Sequence, residues 1–167
     1  MGSVLVIGGG AAGLAAAIAA AECGDTVTVA EKMDRVGKKI LATGNGRCNL
    51  MNTGAPRYPG NAAFAADVLS CCGAEEQKAF WEHLGLRLRQ EEAGRVYPVS
   101  SQASSVLDAL RLQLTALHVR VVTGVSITAL HRENDGWTAL SADGQRFRAN
   151  RVIISGGGCA QPKLGSD

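Results

Sequence analysis

The chain has 167 residues, of which 46% are hydrophobic and 19% charged, with a formal net charge of +2. That length supports one domain with a substantial core, or part of a larger one, and the near-neutral balance excludes the basic field of a nucleic-acid binder, so no nucleic-acid partner is expected. The five cysteines (23, 48, 71, 72 and 159) are odd in number and lack C-x-x-C spacing, which argues against a disulfide framework or a zinc site and favours a reducing compartment.

Residues 4–7 (VLVI) form a short β-branched run of the kind buried in a parallel sheet. Residues 8–13 (GGGAAG) interrupt it and contain G-x-G-x-x-G. From Ala12 to about Cys23 the chain is mostly alanine, with Leu14 and Ile18 at helical spacing, and Gly24 supplies a stop. Residues 26–30 (TVTVA) are a second strand, with Glu31 at its end. Strand, loop, helix, strand and terminal acid in that order are the context a dinucleotide fingerprint requires. Gly8 permits the tight turn, Gly10 lets a pyrophosphate approach the backbone, and Gly13 lets the helix lie close on the sheet. The helix N-terminus offers its N–H groups to phosphates. Glu31, 18 residues past Gly13, is placed to accept hydrogen bonds from a ribose. On this reading Glu31→Ala weakens the cofactor and hardly alters cofactor-free stability.

Residues 4–21 carry no charge, yet only Met-Gly-Ser precedes them and three glycines interrupt them, so neither a signal peptide nor a spanning helix is expected. The protein is read as cytoplasmic, without a membrane partner. Residues 37–49 (GKKILATGNGRCN) are glycine-rich and basic but lack P-loop spacing. They suit either continued contact with a dinucleotide or a solvated loop.

Residues 61–71 and 74–84 read as two short helices, and 86–89 (LRLR) alternates like an exposed strand. His83 and His118 read as surface, packing or strand-entry residues, and the adjacent Cys71 and Cys72 as helix-end residues. Residues 94–99 (GRVYPV) are compact and aromatic, and a helix over roughly 102–117 places Val106, Leu110, Leu114 and Leu117 on one face. Residues 119–122 (VRVV) are a third core strand. Segments 125–131, 137–141 and 146–148 alternate and are joined by Asn-Asp-Gly and Asp-Gly, which predicts a three-stranded meander over about 125–149. A fourth core strand, 151–154 (RVII), runs into Ser155-Gly156-Gly157-Gly158. The expected fold is α/β, with a βαβ unit over 3–31, a helical insertion over about 60–117 and a parallel sheet.

A meander in place of a crossover helix resembles the Rossmann-like FAD-binding domain of glutathione-reductase type. The resemblance sharpens with G-G-G-A-A-G-L-A-A-A at 8–17, E-K at 31–32, G-K-K-I-L-A-T-G-N-G-R-C-N-L at 37–50, G-R-V-Y-P-V-S at 94–100 and G-G-x-x-x-P-K-x-G-S at 157–166. In that order the chain resembles the BaiN/YhiN-type flavoproteins, NAD(P)/FAD-dependent oxidoreductases of the aminoacetone-oxidase type. The resemblance implies FAD, with NAD(P)H as a transient electron donor and a small-molecule substrate. It implies that Gly8, Gly10, Ala11, Ala12 and Gly13 hold the pyrophosphate, Glu31 the ribose, and Lys32 and Lys38 lie near adenosine and phosphates. It sends Arg47, Cys48 and Asn49 towards the flavin, with Arg95, Tyr97 and Pro98 packing nearby, and the backbone of Val125 to adenine. The glycine cluster of Gly156 and Gly157 becomes a second dinucleotide contact. Where many relatives carry A-T-G-G, this chain has Ser155-Gly156-Gly157-Gly158, so a Thr hydroxyl contact is absent.

Relatives in that family are longer, so the chain is expected to be an N-terminal portion that needs further chain or self-association. Alone it is expected to bind FAD weakly or not at all, to tend to aggregate and to oxidise no NAD(P)H, all of which a longer chain should correct. No Ser-His-Asp, paired-carboxylate or metal-ligand pattern names a catalytic residue. Three functions stay open: a flavin-dependent oxidoreductase, a non-catalytic dinucleotide-binding portion of a longer flavoenzyme, and a nicotinamide-dependent dehydrogenase.

Overall fold

The computed structural model describes residues 1–55 and 58–159. It divides into two compact units, one formed by Met1–Ile40 together with the chain from Leu110 onward, the other by Leu41–Ala109.

The first unit begins with strand β1 (Ser3–Ile7), helix α1 (Ala11–Glu22) and strand β2 (Thr26–Glu31). β1 and β2 are parallel, with Val4 opposite Val27 and Ile7 opposite Ala30. In α1, Leu14, Ala17 and Ile18 are fully buried, and the helix packs on β1 and β2. The small Ala17 lets α1 approach while Leu14 and Ile18 fill the groove; full burial of a Leu or Ile side chain is worth about 1.5–3 kcal/mol. Gly24 ends α1 in a left-handed conformation (φ 88°), and its N–H returns to the Ala21 carbonyl at 2.9 Å.

After β2 comes helix α2 (Lys38–Ala42). The second unit then contains strand β3 (Met51–Asn52), helices α3 (Ala62–Cys71) and α4 (Ala74–His83), and strands β4 (Leu88–Gln90) and β5 (Arg95–Pro98). Both helices begin on side-chain caps. Asn61 accepts the Phe64 N–H (3.0 Å) at the start of α3, and Glu76 accepts the Gly73 N–H (2.9 Å) at the start of α4.

β3, β5 and β4 form a small antiparallel sheet in that order, with Met51 opposite Val96 and Arg89 opposite Tyr97. The stretch 60–117, expected as a helical insertion, therefore also holds strands. Residues 94–99 read only as a compact segment because four residues ending in Pro98 are too short to show a period of two. Helix α5 (Ala103–Ala116) follows, with Val106, Leu110 and Leu114 buried as the spacing predicts.

Strand β6 (Arg120–Thr123) returns to the first unit, followed by β7 (Ile127–Glu133), β8 (Gly136–Ser141), β9 (Arg146–Ala149) and β10 (Arg151–Ile154). The four-stranded parallel sheet has the order β10-β1-β2-β6, and the meander the order β7-β8-β9. Alternation along β1 assigns its two faces. Leu5 joins Ala30, Val125, Ala139, Phe147 and Ala149 in a core beneath the meander, while Val4 and Val6 are buried on the opposite pleat, the side of α1. The α/β fold with a meander crossover is as the sequence predicts. Among the described residues, no helix is long and apolar enough to cross a membrane.

Candidate functional site

A cleft of about 430 Å³ lies at the carboxyl ends of β1, β2 and β10, where a doubly wound sheet places its ligands. Its floor is the glycine loop. Gly8 has φ 105°, and a Cβ there would lie 2.5 Å from the Ser155 carbonyl oxygen, so conformation and space both require glycine. A Cβ on Gly13 would lie 1.9 Å from the Gly8 carbonyl oxygen, which is the close helix–strand approach in atomic terms. Gly10 differs: nothing lies within 4 Å of its Cβ position. The protein closes around Gly8 and Gly13 and leaves Gly10 open.

The donors are distributed accordingly. The Gly8 N–H goes to the Ala30 carbonyl (2.8 Å) and the Gly9 N–H to Glu31 Oε2 (2.6 Å). Leu14 N–H begins the helical ladder on the Gly10 carbonyl (2.9 Å), and α1 has no side-chain cap. The N–H groups of Gly10, Ala11, Ala12 and Gly13 thus precede the ladder, at the positive end of the helix dipole. Ala11 and Ala12 are exposed and Gly13 is buried.

Glu31 lines the cleft, but its carboxylate also holds the protein together. Besides the Gly9 N–H, it accepts the Met33 N–H on Oε1 (2.7 Å). The expectation that cofactor-free stability is indifferent to Glu31 is therefore corrected: two backbone donors would lose a charged acceptor. Val125 is buried, lines the cleft and donates its N–H to the Glu31 carbonyl (2.9 Å).

Lys32 and Lys38 also line the cleft. Lys38 pairs with Asp34 at 2.5 Å, and this contact comes first among the causes that hold the Asp34 carboxyl below its ordinary range. From Glu31 to Lys39 the chain carries four cationic and two anionic side chains, a net +2 equal to that of the whole chain. Gly156 and Gly157 form the facing wall with Gly158, and the Cβ positions of Gly156 and Gly158 are open. The remainder of the motif at 157–166, including Pro162, Lys163, Gly165 and Ser166, lies outside the described residues.

Arg47, Cys48 and Asn49 belong to the second unit. Arg47 lies over the Tyr97 ring, 4.1 Å from its centroid, and pairs with Glu91 at 2.5 Å. The Cys48 thiol is buried, and burial pushes its pKa up against a lowering hydrogen bond with Thr43, so it is not activated as a thiolate. Asn49, with its amide nitrogen turned inward, donates to the carbonyls of Met51 (2.9 Å) and Val96 (3.2 Å). Arg47 and Asn49 anchor the loop onto β5. Among the described residues, no group of three His, Cys, Asp or Glu side chains could hold a metal ion.

Ser155 belongs to the site as well, although the sequence, which places it at the head of the glycine cluster, gives its hydroxyl no partner. Its Oγ lies 2.9 Å from the carbonyls of both Ile7 and Gly8, and its N–H donates to the Ile7 carbonyl (2.8 Å). Ser155→Ala is expected to lower the unfolding free energy by about 1–2 kcal/mol, the range for loss of neutral hydrogen bonds, as measured by urea titration. An unchanged midpoint would show that the hydroxyl does not secure the loop.

The chain is 46% identical over 172 residues to the 3-dehydro-bile acid delta(4,6)-reductase of Clostridium scindens, covering 100% of this chain and 42% of the relative. It is 25% identical to the ribosomal RNA dihydrouridine synthase of Haemophilus influenzae, covering 97% of this chain and again 42% of the relative. The chain thus spans less than half the length of these relatives. Among solved structures, the 3-ketosteroid-delta4-(5alpha)-dehydrogenase of Rhodococcus jostii RHA1 superposes with a TM-score of 0.69 at 18% identity, over 94% of this chain and 46% of that one, which shows a shared fold. The HI0933-like protein Rossmann domain matches residues 2–167, and the chain belongs to that family.

Proposed function

We propose that the cleft binds the ADP half of FAD and that the protein is a flavin-dependent oxidoreductase with NAD(P)H as electron donor. The observation that carries this reading is the open face of Gly10 beside the N–H groups that precede the α1 ladder. A diphosphate there meets backbone donors and a helix dipole without steric hindrance. Glu31 has lone pairs left to accept ribose hydroxyls, and Val125, which lines the same cleft, offers its backbone to the base. Gly156 and Gly158 leave room for the ligand on the opposite wall. When bound, flavin supplies hydride and electron transfer, while the protein binds and orients it. The reductase name of the Clostridium scindens relative supports reduction as the type of reaction.

The test is the visible spectrum of a protein carrying this domain and extended to the length of its relatives, after incubation with FAD, followed by NAD(P)H oxidation. A bound flavin band near ~450 nm that bleaches on NAD(P)H addition is the expected result. Binding of nicotinamide without flavin would overturn the assignment of FAD. Flavin binding without oxidation would reject NAD(P)H as the donor.

A further inference from the structure

We infer that Cys71 and Cys72 form a vicinal dithiol site for a trivalent arsenical that carries one organic group. Both residues belong to the second unit and neither lines the glycine-walled cleft. All five cysteines are free thiols, and Cys71 and Cys72 are exposed as well as adjacent in the chain. Inside a regular helix two consecutive side chains point about 100° apart. Here the helix stops between them: Cys71 is the last residue of α3, and Cys72 caps it with φ −144° and ψ 75°. That break removes the helical divergence of the two side chains. The backbone around them is nonetheless fixed. The Cys72 N–H donates to the Val68 carbonyl (3.0 Å), the Gln77 side chain to the Cys72 carbonyl (3.1 Å), and the Gly73 N–H to Glu76 (2.9 Å). Only side-chain rotation then separates the pair from a shared ligand.

The donor set selects that ligand. Two thiols, with no group of three His, Cys, Asp or Glu among the described residues, fall short of the tetrahedral set of a structural zinc ion. A direct disulfide is disfavoured too, because adjacent Cα atoms are about 3.8 Å apart, below the usual span of that bond. An intervening arsenic atom makes the ring one atom larger and relieves the span. An organoarsenic(III) oxide requires two thiols and no further ligand. Two S–H bonds break, two As–S bonds form, and the oxide oxygen leaves with both protons as water. Arsenic stays trivalent, so no oxidant or reductant takes part. Once the first sulfur has attached, the second is held beside it and closure is intramolecular.

The experiment treats a protein carrying this domain, extended to the length of its relatives, with phenylarsine oxide in the presence of glutathione, a monothiol. Peptide mapping by mass spectrometry locates the adduct. The expected adduct joins Cys71 and Cys72, survives glutathione and is released by dithiothreitol. Cys71→Ser and Cys72→Ser should each weaken binding by about a hundredfold or more, the gain from linking two contacts, with circular dichroism as the check on folding. Cys23→Ser, which removes an exposed cysteine that has no cysteine beside it, should leave this adduct unchanged. If either Cys71→Ser or Cys72→Ser keeps the parent's affinity, the inference is overturned. Should a serine variant fail to fold, the map of the parent decides: an adduct found elsewhere, or one that glutathione removes, overturns it equally.

Discussion

Gly13→Ala is expected to destabilise the protein by on the order of 3 kcal/mol, the upper part of the range for overpacking, whereas Gly10→Ala should fold normally and lose its ligand. The two residues lie three apart, at the cap and in the first turn of α1, and the difference is in what a methyl group would meet. At Gly13 it would lie 1.9 Å from a backbone oxygen that is itself fixed, because Gly8 is held by Ser155 and Ala30. Relief requires α1 to move off the sheet. At Gly10 the methyl enters open space, the space a diphosphate would occupy. Thermal unfolding without ligand should show a fall of roughly 10 °C for Gly13→Ala and little change for Gly10→Ala. FAD titration should show the loss for Gly10→Ala. If Gly10→Ala binds FAD normally, the loop does not cradle a dinucleotide.

Glu31→Ala should fail on both counts. Each carboxylate oxygen accepts one backbone N–H, and hydrogen bonds to charged groups contribute about 1.5–3 kcal/mol each before allowance for partial exposure. Cofactor-free stability should fall by about 2 kcal/mol on that basis, and FAD affinity should fall with it. Glu31→Gln separates shape from charge. It fills the same space, yet sets an NH₂ group against one of the two N–H donors. It should therefore lose nearly as much stability as alanine. A glutamine variant as stable as the parent would show that the loop does not depend on the carboxylate.

How far the sequence carries depends on the distance over which partners are found. The β1–α1–β2 unit is legible because its signals are local: an apolar run, glycines, alanines at helical spacing, and an acid at the strand end. The meander is legible for the same reason, from its two turn sequences. The contacts of Ser155 and Lys39 are not, because they exist only through the pairing of β10 with β1. Ser155 meets Gly8 across 147 residues, and Lys39 meets Gly158 across 119. Arg47 shows the converse. Its charge beside a glycine-rich loop suggests a ligand contact, and nothing local announces that Glu91, 44 residues on, will pair with it. The position of Glu31 at its strand end is a local signal too, but its bonds to Gly9 and Met33 depend on the backbone path of two turns.

The parallel pairing of Val4 with Arg151 also bears on how the protein folds. Parallel strands so far apart in sequence close a long loop before their contacts repay its entropy, and such pairings form slowly. Hairpins of the meander and the turns of α1 involve near neighbours and need no such closure. The two glycine walls of the cleft are carried by β1 and β10, so they meet only when this slow pairing is made. A ligand held between the walls recognises the completed sheet alone. It stabilises that state by mass action, and it cannot hasten the local steps that come before.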